Sequence, residues 1–270
     1  MTRTRGRGMG KPKADYSIQA VSNALRLLEA FGNQDELGVS ELARRLDLHK
    51  NNVFRLLATL EESGYIEQSA KSEEYRLGTR CLELGQAYSR GHDLVHCSAQ
   101  ILLALMERTG ETVHLASLRD FEVVHLAGEQ PRHLVVTPLR VGTRLPAHCT
   151  ALGKVLLACG SEETRQDFDR RVQQTGGLPA RSEATIVDPH KFFEHLTGVA
   201  VQGFAVDLGE CEAGLRCAAT PVFGAGGRLV GALSVSGPVF RLPDDRLLGE
   251  IVREVSAAAA ELSSKLGYTD

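Results

Sequence analysis

Apolar residues in the first third of the chain recur at helical spacing, in short stretches separated by polar breaks. Ile18, Val21, Leu25 and Leu28 follow one another up to Phe31, which predicts an amphipathic helix that Ser17 can cap. Leu42, Ala43 and Leu46 predict a second, short helix with Ser40 as its cap. Asp47-Leu48-His49 is the turn. Val53, Leu56, Leu57 and Leu60 then mark the buried stripe of a third helix, from about 52 to 63, stopped at Gly64. Here the period changes from helical to alternating: YIEQ (65–68) and EYRL (74–77) flank a polar SAKSE stretch and predict a β-hairpin. Thr79 opens a further helix through Tyr88, closed by Gly91.

The rear of the chain mixes both periods. A helix at about 93–108 ends at Gly110, and strand-like runs follow at 112–118, 121–127 and 133–138. A loop, LRVGTRLPAHC, leads into a helix near 150–159, followed by charged helices near 161–172 and 188–202. Strands are expected at 203–208, 214–223 and 228–236, and a last helix at about 243–267. The Gly-rich FGAGGRLVG (223–231) lacks GxGxxG order and precedes a strand, so it reads as a hairpin turn and not a dinucleotide loop. The sum is an α+β chain. Its expected divisions are a basic tail (1–15), a helix-turn-helix with a hairpin (16–78), a linker helix (79–91) and a larger α/β domain (92–270).

Charge adds a direction to this picture. The first 90 residues hold 14 Lys and Arg against 12 Asp and Glu; the remainder holds 17 against 22. Five basic residues and no acid fall within the first 13 positions. A basic front suits a polyanionic partner. No run approaches 18 apolar residues, so no membrane span is expected. The six cysteines include no CxxC pair, and with no secretory signal at the start they read as reduced thiols in a cytoplasm.

On the third helix, Asn52, Arg55 and Thr59 share a polar face, with Asn51 at the N-terminus. Asn can pair with two edge atoms of adenine, and Arg can fork onto guanine or phosphate. Helix, short helix, turn, helix and hairpin make a winged helix-turn-helix. Ser40, Lys50, Asn51, Asn52, Arg55 and Thr59, with Lys71 and Arg76 from the hairpin, are therefore candidates for contact with double-stranded operator DNA. On this reading one of the paired amides closes the helix, and the pair together with Arg55 faces bases.

The stretches SIQAVSNALRLLEAF, VSELARRLDLHKNNVFRLLATLEESGYIEQ and YRLGTRCLELG resemble the amino-terminal half of the IclR family of bacterial transcriptional regulators. The likeness continues in TRLPAHCTALGKVLLA and in GFAVDLGECEAGLRCAATPVFGAGGRLVGALSVSGP. The family usually carries Ser-Thr where this chain has Asn51-Asn52, which bears on operator preference. The resemblance implies a GAF/PAS-like effector-binding rear domain, a small organic effector such as a carboxylate or aromatic acid, no cofactor, no enzymatic activity, and a homodimer or tetramer. It also implies a pocket at Ala151, Leu152, Asp207, Cys217, Ser234 and Ser236, with His148 in the loop before it. Leu152 is bulkier, and Gly209 less acidic, than many relatives carry there. From the residues themselves, Thr150 can cap a helix whose free N–H groups suit an anion, and Ser234 and Ser236 share one sheet face.

Two other readings stay open on sequence. Cys149 or Cys217 can act as a thiol catalyst if a neighbour such as His148 lowers its pKa. Asp207, Cys211 and Cys217, with His148 and Cys149, can form a zinc site. His92 and His96, four residues apart, have metal-compatible spacing without the HExxH glutamate.

Overall fold

The computed structural model describes residues 17–32 and 34–269. The basic tail expected at 1–15 lies outside them. The described chain forms two compact units, with the division between Tyr88 and Ser89.

The first unit packs three helices under a hairpin. α1 (Gln19–Glu29), α2 (Val39–Leu46) and α3 (Lys50–Glu62) bury Leu27, Leu42, Leu46, Val53 and Leu57 together with Phe31, Leu37 and Ile66. In α2 and α3 this is the stripe expected from the 3.6-residue period; in α1 the expected Ile18, Val21 and Leu25 are exposed and Leu27 takes the inward position. Asp47, in the left-handed region at φ 54°, breaks α2 from α3. Three capping expectations are corrected. Ile18, not Ser17, holds the cap position of α1, with no side-chain cap bond. α2 starts two residues early, with Gly38 at the cap position, so Ser40 lies within its first turn. α3 starts at Lys50 and is capped by His49, whose Nδ1 accepts the Asn51 N–H at 3.3 Å. Neither asparagine side chain is therefore spent on closing the helix. β1 (Ile66–Gln68) and β2 (Tyr75–Leu77) pair antiparallel, and Leu37 bridges to Tyr75 on the other side. At Gly78 a Cβ would sit 2.3 Å from the Gly64 carbonyl oxygen, so the close approach there requires glycine. α4 (Thr79–Gly91) follows.

The second unit is a six-stranded antiparallel sheet between two helical layers. It comprises α5 (Asp93–Thr109), β3 (Thr112–Arg119), β4 (Glu122–Glu129), β5 (Arg144–Pro146), α6 (Ala151–Ala158), α7 (Glu162–Thr175), α8 (Pro189–Gln202), β6 (Ala205–Asp207), β7 (Leu215–Gly224), β8 (Arg228–Pro238) and α9 (Val252–Lys265). A π-helical turn, Arg246–Ile251, runs into α9. The strand order is β5-β4-β3-β8-β7-β6. On one face Leu115, Leu233, Val235 and Val222 pack against Leu102, Leu105, Val255 and Leu262 of α5 and α9. On the other, Ala116, Ala232 and Ala219 meet α6, α7 and α8 through Val155, Phe168 and Phe192. The period-2 alternation thus sends each strand's neighbours to different layers.

The strand expected at 133–138 does not form. That stretch is a loop, with Leu134 fully exposed, and the edge of β4 is taken instead by the short β5. Carbonyls of the loop are satisfied by side chains: Val135 O accepts from Arg241 at 2.7 Å, and Thr137 O accepts from the Thr112 hydroxyl at 2.7 Å. The 223–231 segment is the β7–β8 hairpin, turned by Ala225–Gly227 with Gly226 at φ 71°.

Candidate DNA-reading helix and effector cavity

Two helix starts carry polar groups without partners among the described residues. The first is that of α3. Lys50, Asn51, Asn52, Arg55 and Thr59 are all exposed. The side chains of Lys50, Asn51, Asn52 and Arg55 have no hydrogen-bond or ion-pair partner among the described residues. The arginines of α2 differ: Arg44 and Arg45 are both bonded to Glu41, and Arg45 also reaches Gln34. Thr59 turns its hydroxyl back onto the Arg55 carbonyl at 2.9 Å, which consumes its proton within the helix. On the hairpin, Lys71 is exposed, and Arg76 is exposed but paired to Glu67 at 3.2 Å. Ser40 is exposed on α2. One residue of this face escaped the sequence reading: Phe54 stands 57% exposed between Asn51 and Arg55. Its signal was present, since position 54 falls off the 53/57/60 stripe, but an aromatic is ordinarily assigned inward.

The second start is that of α6. Thr150 caps it, its hydroxyl accepting the Gly153 N–H at 3.2 Å and donating to the Pro146 carbonyl at 3.1 Å. Gly153 is obligatory: a Cβ there would lie 2.2 Å from the Ala147 carbonyl oxygen. The Ala151 and Leu152 N–H groups precede any intrahelical acceptor, and both residues line a narrow cavity of about 40 Å³. The rest of the lining comes from separate strands and loops: His114, His125, Thr137, Arg140, Asp207, Cys211, Glu212, Cys217, Ser234 and Ser236 among them. Strand register explains the convergence. His114 of β3 lies opposite Ser234 of β8, and Ser236 opposite Cys217 of β7.

Ala151, Leu152, Asp207, Cys217, Ser234 and Ser236 are thus brought together, whereas His148 is not. Its ring is turned to the Pro179 carbonyl, with Nε2 at 2.8 Å, and it does not line the cavity. Arg140 comes from the LRVGTRLPAHC loop already singled out before this helix, while His114, His125, Thr137 and Glu212 join a site drawn without them. The two histidines arrive through sheet order, on β3 and β4, and the others through loops, which no local pattern displays.

The cavity's electrostatics are set by burial. Burial takes His114 down to about 3 and His125 down to about 4, so both rings are neutral near pH 7. His114 Nε2 accepts the Arg140 backbone N–H at 3.2 Å, which leaves its proton on Nδ1. Asp207 is pushed up to about 6, again by burial, against hydrogen bonds from the Glu210 and Cys211 amides. Burial likewise raises the Cys217 thiol, while Cys149 is raised first by its hydrogen bond to Cys211 and then by burial. That is the opposite of what a thiol nucleophile requires. Arg140 closes one side of the cavity through a 2.6 Å ion pair with Glu212. The hydroxyls of Ser234 and Thr137 are buried without a hydrogen-bond partner among the described residues, a costly arrangement that a ligand or water would relieve. Among the described residues no group of three or more His, Cys, Asp and Glu side chains is disposed to hold a metal ion, and no helix is long and apolar enough to cross a membrane.

Comparison with known proteins agrees with this two-part organisation. Residues 20–70 match the family model of the IclR helix-turn-helix domain, and residues 86–264 match that of the bacterial transcriptional regulator IclR C-terminal region. The HTH-type transcriptional regulator KdgR of Escherichia coli is 33% identical over 260 residues, covering 96% of each chain. Among solved structures, an IclR transcriptional regulator from Alicyclobacillus acidocaldarius superposes with a TM-score of 0.83 at 26% identity, covering 93% of this chain and all of that one. An IclR homolog from Microbacterium hydrocarbonoxydans, complexed with 4-hydroxybenzoate, gives 0.78 at 25% identity, again over 93% of this chain and all of the other.

Proposed function

The chain belongs to the IclR family of bacterial transcriptional regulators, and from that premise we propose how this ligand-responsive regulator reads DNA and which effector it takes. α3 enters the major groove. Asn51, Asn52 and Arg55 address base edges, and Phe54 offers an apolar edge to a thymine methyl. Lys50, Lys71, Arg76 and Ser40 contact the phosphate backbone, which fixes register without carrying sequence information. Arg76 must leave Glu67 to do so. Thr59 supports the face and at most accepts a bond.

The effector is a small organic acid held in the cavity at the start of α6. Its carboxylate takes the Ala151 and Leu152 N–H groups, where the helix dipole favours an anion, and the Ser234 hydroxyl completes the set. The observation that carries this reading is the buried, unpartnered Ser234 hydroxyl facing the cavity. The neutral histidines offer apolar faces and single hydrogen bonds, and Arg140 supplies a charge from the rim. A cavity of about 40 Å³ holds a few waters, so a ring-sized acid requires the Arg140–Glu212 pair to open. The bound 4-hydroxybenzoate in the Microbacterium homolog supports placing aromatic acids among the compounds to try.

The regulator acts as a homodimer on a two-fold operator, with the tetramer as the next assembly. Ile18, Val21 and Leu25 form an exposed apolar stripe along the start of the chain's first helix, and Leu82, Leu84 and Tyr88 are exposed on α4; these surfaces supply the pairing. Thermal-shift titration with aliphatic and aromatic acids tests the effector assignment. A stabilising acid whose effect disappears in Ser234→Ala upholds it, and equal shifts in both proteins refute the assigned site.

A further inference from the structure

The carboxylate site at the start of α6 leaves one buried hydroxyl of the cavity unused. Thr137, in the loop between β4 and β5, is buried and lines the cavity, and its hydroxyl has no hydrogen-bond partner among the described residues. A buried hydroxyl in that condition is costly until something enters to meet it.

The place of Thr137 is fixed by the sheet and by its own loop. Strand pairing sets Thr112, Ser236, Cys217 and Asp207 abreast across β3, β8, β7 and β6. His114, Ser234, Ala219 and Ala205 form the next row, and Ala116 and Ala232 belong to the one after. Alternate residues of a strand share a face, so this face runs from polar to apolar along the strands. Its alanines pack with α6, while Ser236, Cys217 and Asp207 line the cavity. Thr112 does not line it; its hydroxyl donates to the Thr137 carbonyl at 2.7 Å. Thr137 therefore supplies the hydroxyl at that end of the row. Its loop is pinned on both sides. Arg241 donates to the Val135 carbonyl at 2.7 Å, the Leu139 N–H to Gln130 Oε1 at 3.1 Å, and the Arg140 N–H to His114 Nε2 at 3.2 Å. A wall residue held in this way is in place before any ligand arrives.

We propose that Thr137 is a specificity-determining residue, selecting among small organic acids those that carry a hydroxyl group in addition to the carboxylate. The selection rests on the reading of this cavity as the effector site. A hydroxyl both donates and accepts, as Thr137 does, and it enters a buried space without the desolvation cost of a charge. A second carboxylate would meet Asp207 and Glu212, with Arg140 already paired to Glu212. A methyl group would leave the Thr137 hydroxyl as unpartnered as it is without ligand. Acids differing only by a hydroxyl are thus separated by a polar group that the protein has already buried, the arrangement that discriminates most strongly.

The test compares matched acids on the full chain by calorimetric titration: lactate with propionate, 3-hydroxybutyrate with butyrate, 4-hydroxybenzoate with benzoate. In at least one pair the hydroxylated acid should bind about tenfold more tightly or better. In Thr137→Val, which keeps the shape and removes the hydroxyl, that ratio should fall to about one, through weaker binding of the hydroxylated acid alone. Melting of the ligand-free proteins gives a second readout, since Val in place of an unpartnered hydroxyl should leave the midpoint unchanged or raise it. A lower midpoint would mean that the protein itself bonds the hydroxyl, and would overturn the proposal. Equal affinities within every pair, or a preference that survives in the variant, would overturn it too. If those equal affinities vanish in Ser234→Ala, hydroxyl selection fails while the acid site stands. Binding by none of the acids counts against the acid site itself and removes the proposal with it.

Discussion

The starts of α3 and α6 are the same backbone device in different surroundings. Each presents N–H groups that the helix cannot satisfy, and each carries the positive end of a helix dipole. At α3 the cap is an exposed imidazole, and the nearby cations lie in water. At α6 the cap is a buried hydroxyl, and every residue of the helix is buried. The α3 end therefore works in a high dielectric, where affinity accumulates from many weak, screened contacts. The α6 end works where an unpaired polar group costs about 1–3 kcal/mol, so a few placed atoms decide which ligand fits.

The largest expected effect lies in the support of α6. Gly153→Val places side-chain atoms where even a Cβ would be 2.2 Å from backbone. Neither partner is a flexible side-chain end, so the first turn of α6 must move. A loss of about 3 kcal/mol or more is expected from overpacking of this kind, read as a lower denaturation midpoint of the second unit. No comparable glycine lies within α3, and an Ala58→Gly change there should cost only about 1 kcal/mol. Equal losses from the two changes would erase the contrast.

Next in size is the pH response of the cavity, whose sign follows from three groups. His114 and His125 have folded pKa values below their unfolded value of 6.5, at about 3 and about 4. Their contribution is fully present above pH 6.5 and is lost as pH falls toward 4. Asp207 is displaced the other way, from 3.8 to about 6, so it costs stability above pH 6 and relieves that cost as pH falls. Between pH 6 and 4 the unfolded chain holds close to two protons on these histidines, while the folded chain holds about one, on Asp207. Stability of the second unit should therefore fall with acidification by about 1.4 kcal/mol per pH unit from these groups. In Asp207→Asn the opposing proton is gone, and the slope should roughly double. Urea melts at a series of pH values measure it; an unchanged slope in the variant would deny the raised Asp207.

These effects also mark how far the sequence could be read. The stripes of α2 and α3, the hairpin, Gly64 and α6 with its Thr150 cap all follow from local spacing and cap chemistry, whereas the stripe read on α1 is exposed and Leu27 is buried in its place. His49 as the cap of α3 did not, because histidine is a weak cap by type and two asparagines stood next to it. The expected strand at 133–138 did not form, and β5 pairs with the edge of β4 in its place. Half of the cavity was legible through Ala151, Leu152, Asp207, Cys217, Ser234 and Ser236. The histidine pair was not, since it reaches the same place only through the order β4-β3-β8-β7, and Thr137 was not, since it comes from the loop between β4 and β5. His148, adjacent in sequence to the site, faces Pro179 instead.

On the α3 side, Arg55→Ala should cost about 1–3 kcal/mol of operator affinity and relax preference at one base pair. Replacing both Asn51 and Asn52 by Ala should flatten preference further while non-specific binding survives. Footprinting and competition against scrambled DNA separate the two quantities. Preserved discrimination in the double variant would remove these amides from base reading, and would shift attention to Phe54.

The smallest effect is the one that separates the two helix starts most cleanly. Lys71→Ala should weaken binding to operator and random DNA alike and reduce the slope of log affinity against log salt by about 1. The α6 site should not share this behaviour. Ala151 and Leu152 are buried, and counterions do not compete for their N–H groups as they do for phosphates. Effector affinity should thus change little over a salt range that lowers DNA affinity by orders of magnitude. A steep salt dependence of effector binding, measured by calorimetry, would mean that the acid is held by the rim charge of Arg140 and not by the buried helix start. The difference between the two dielectric settings would then have to be abandoned.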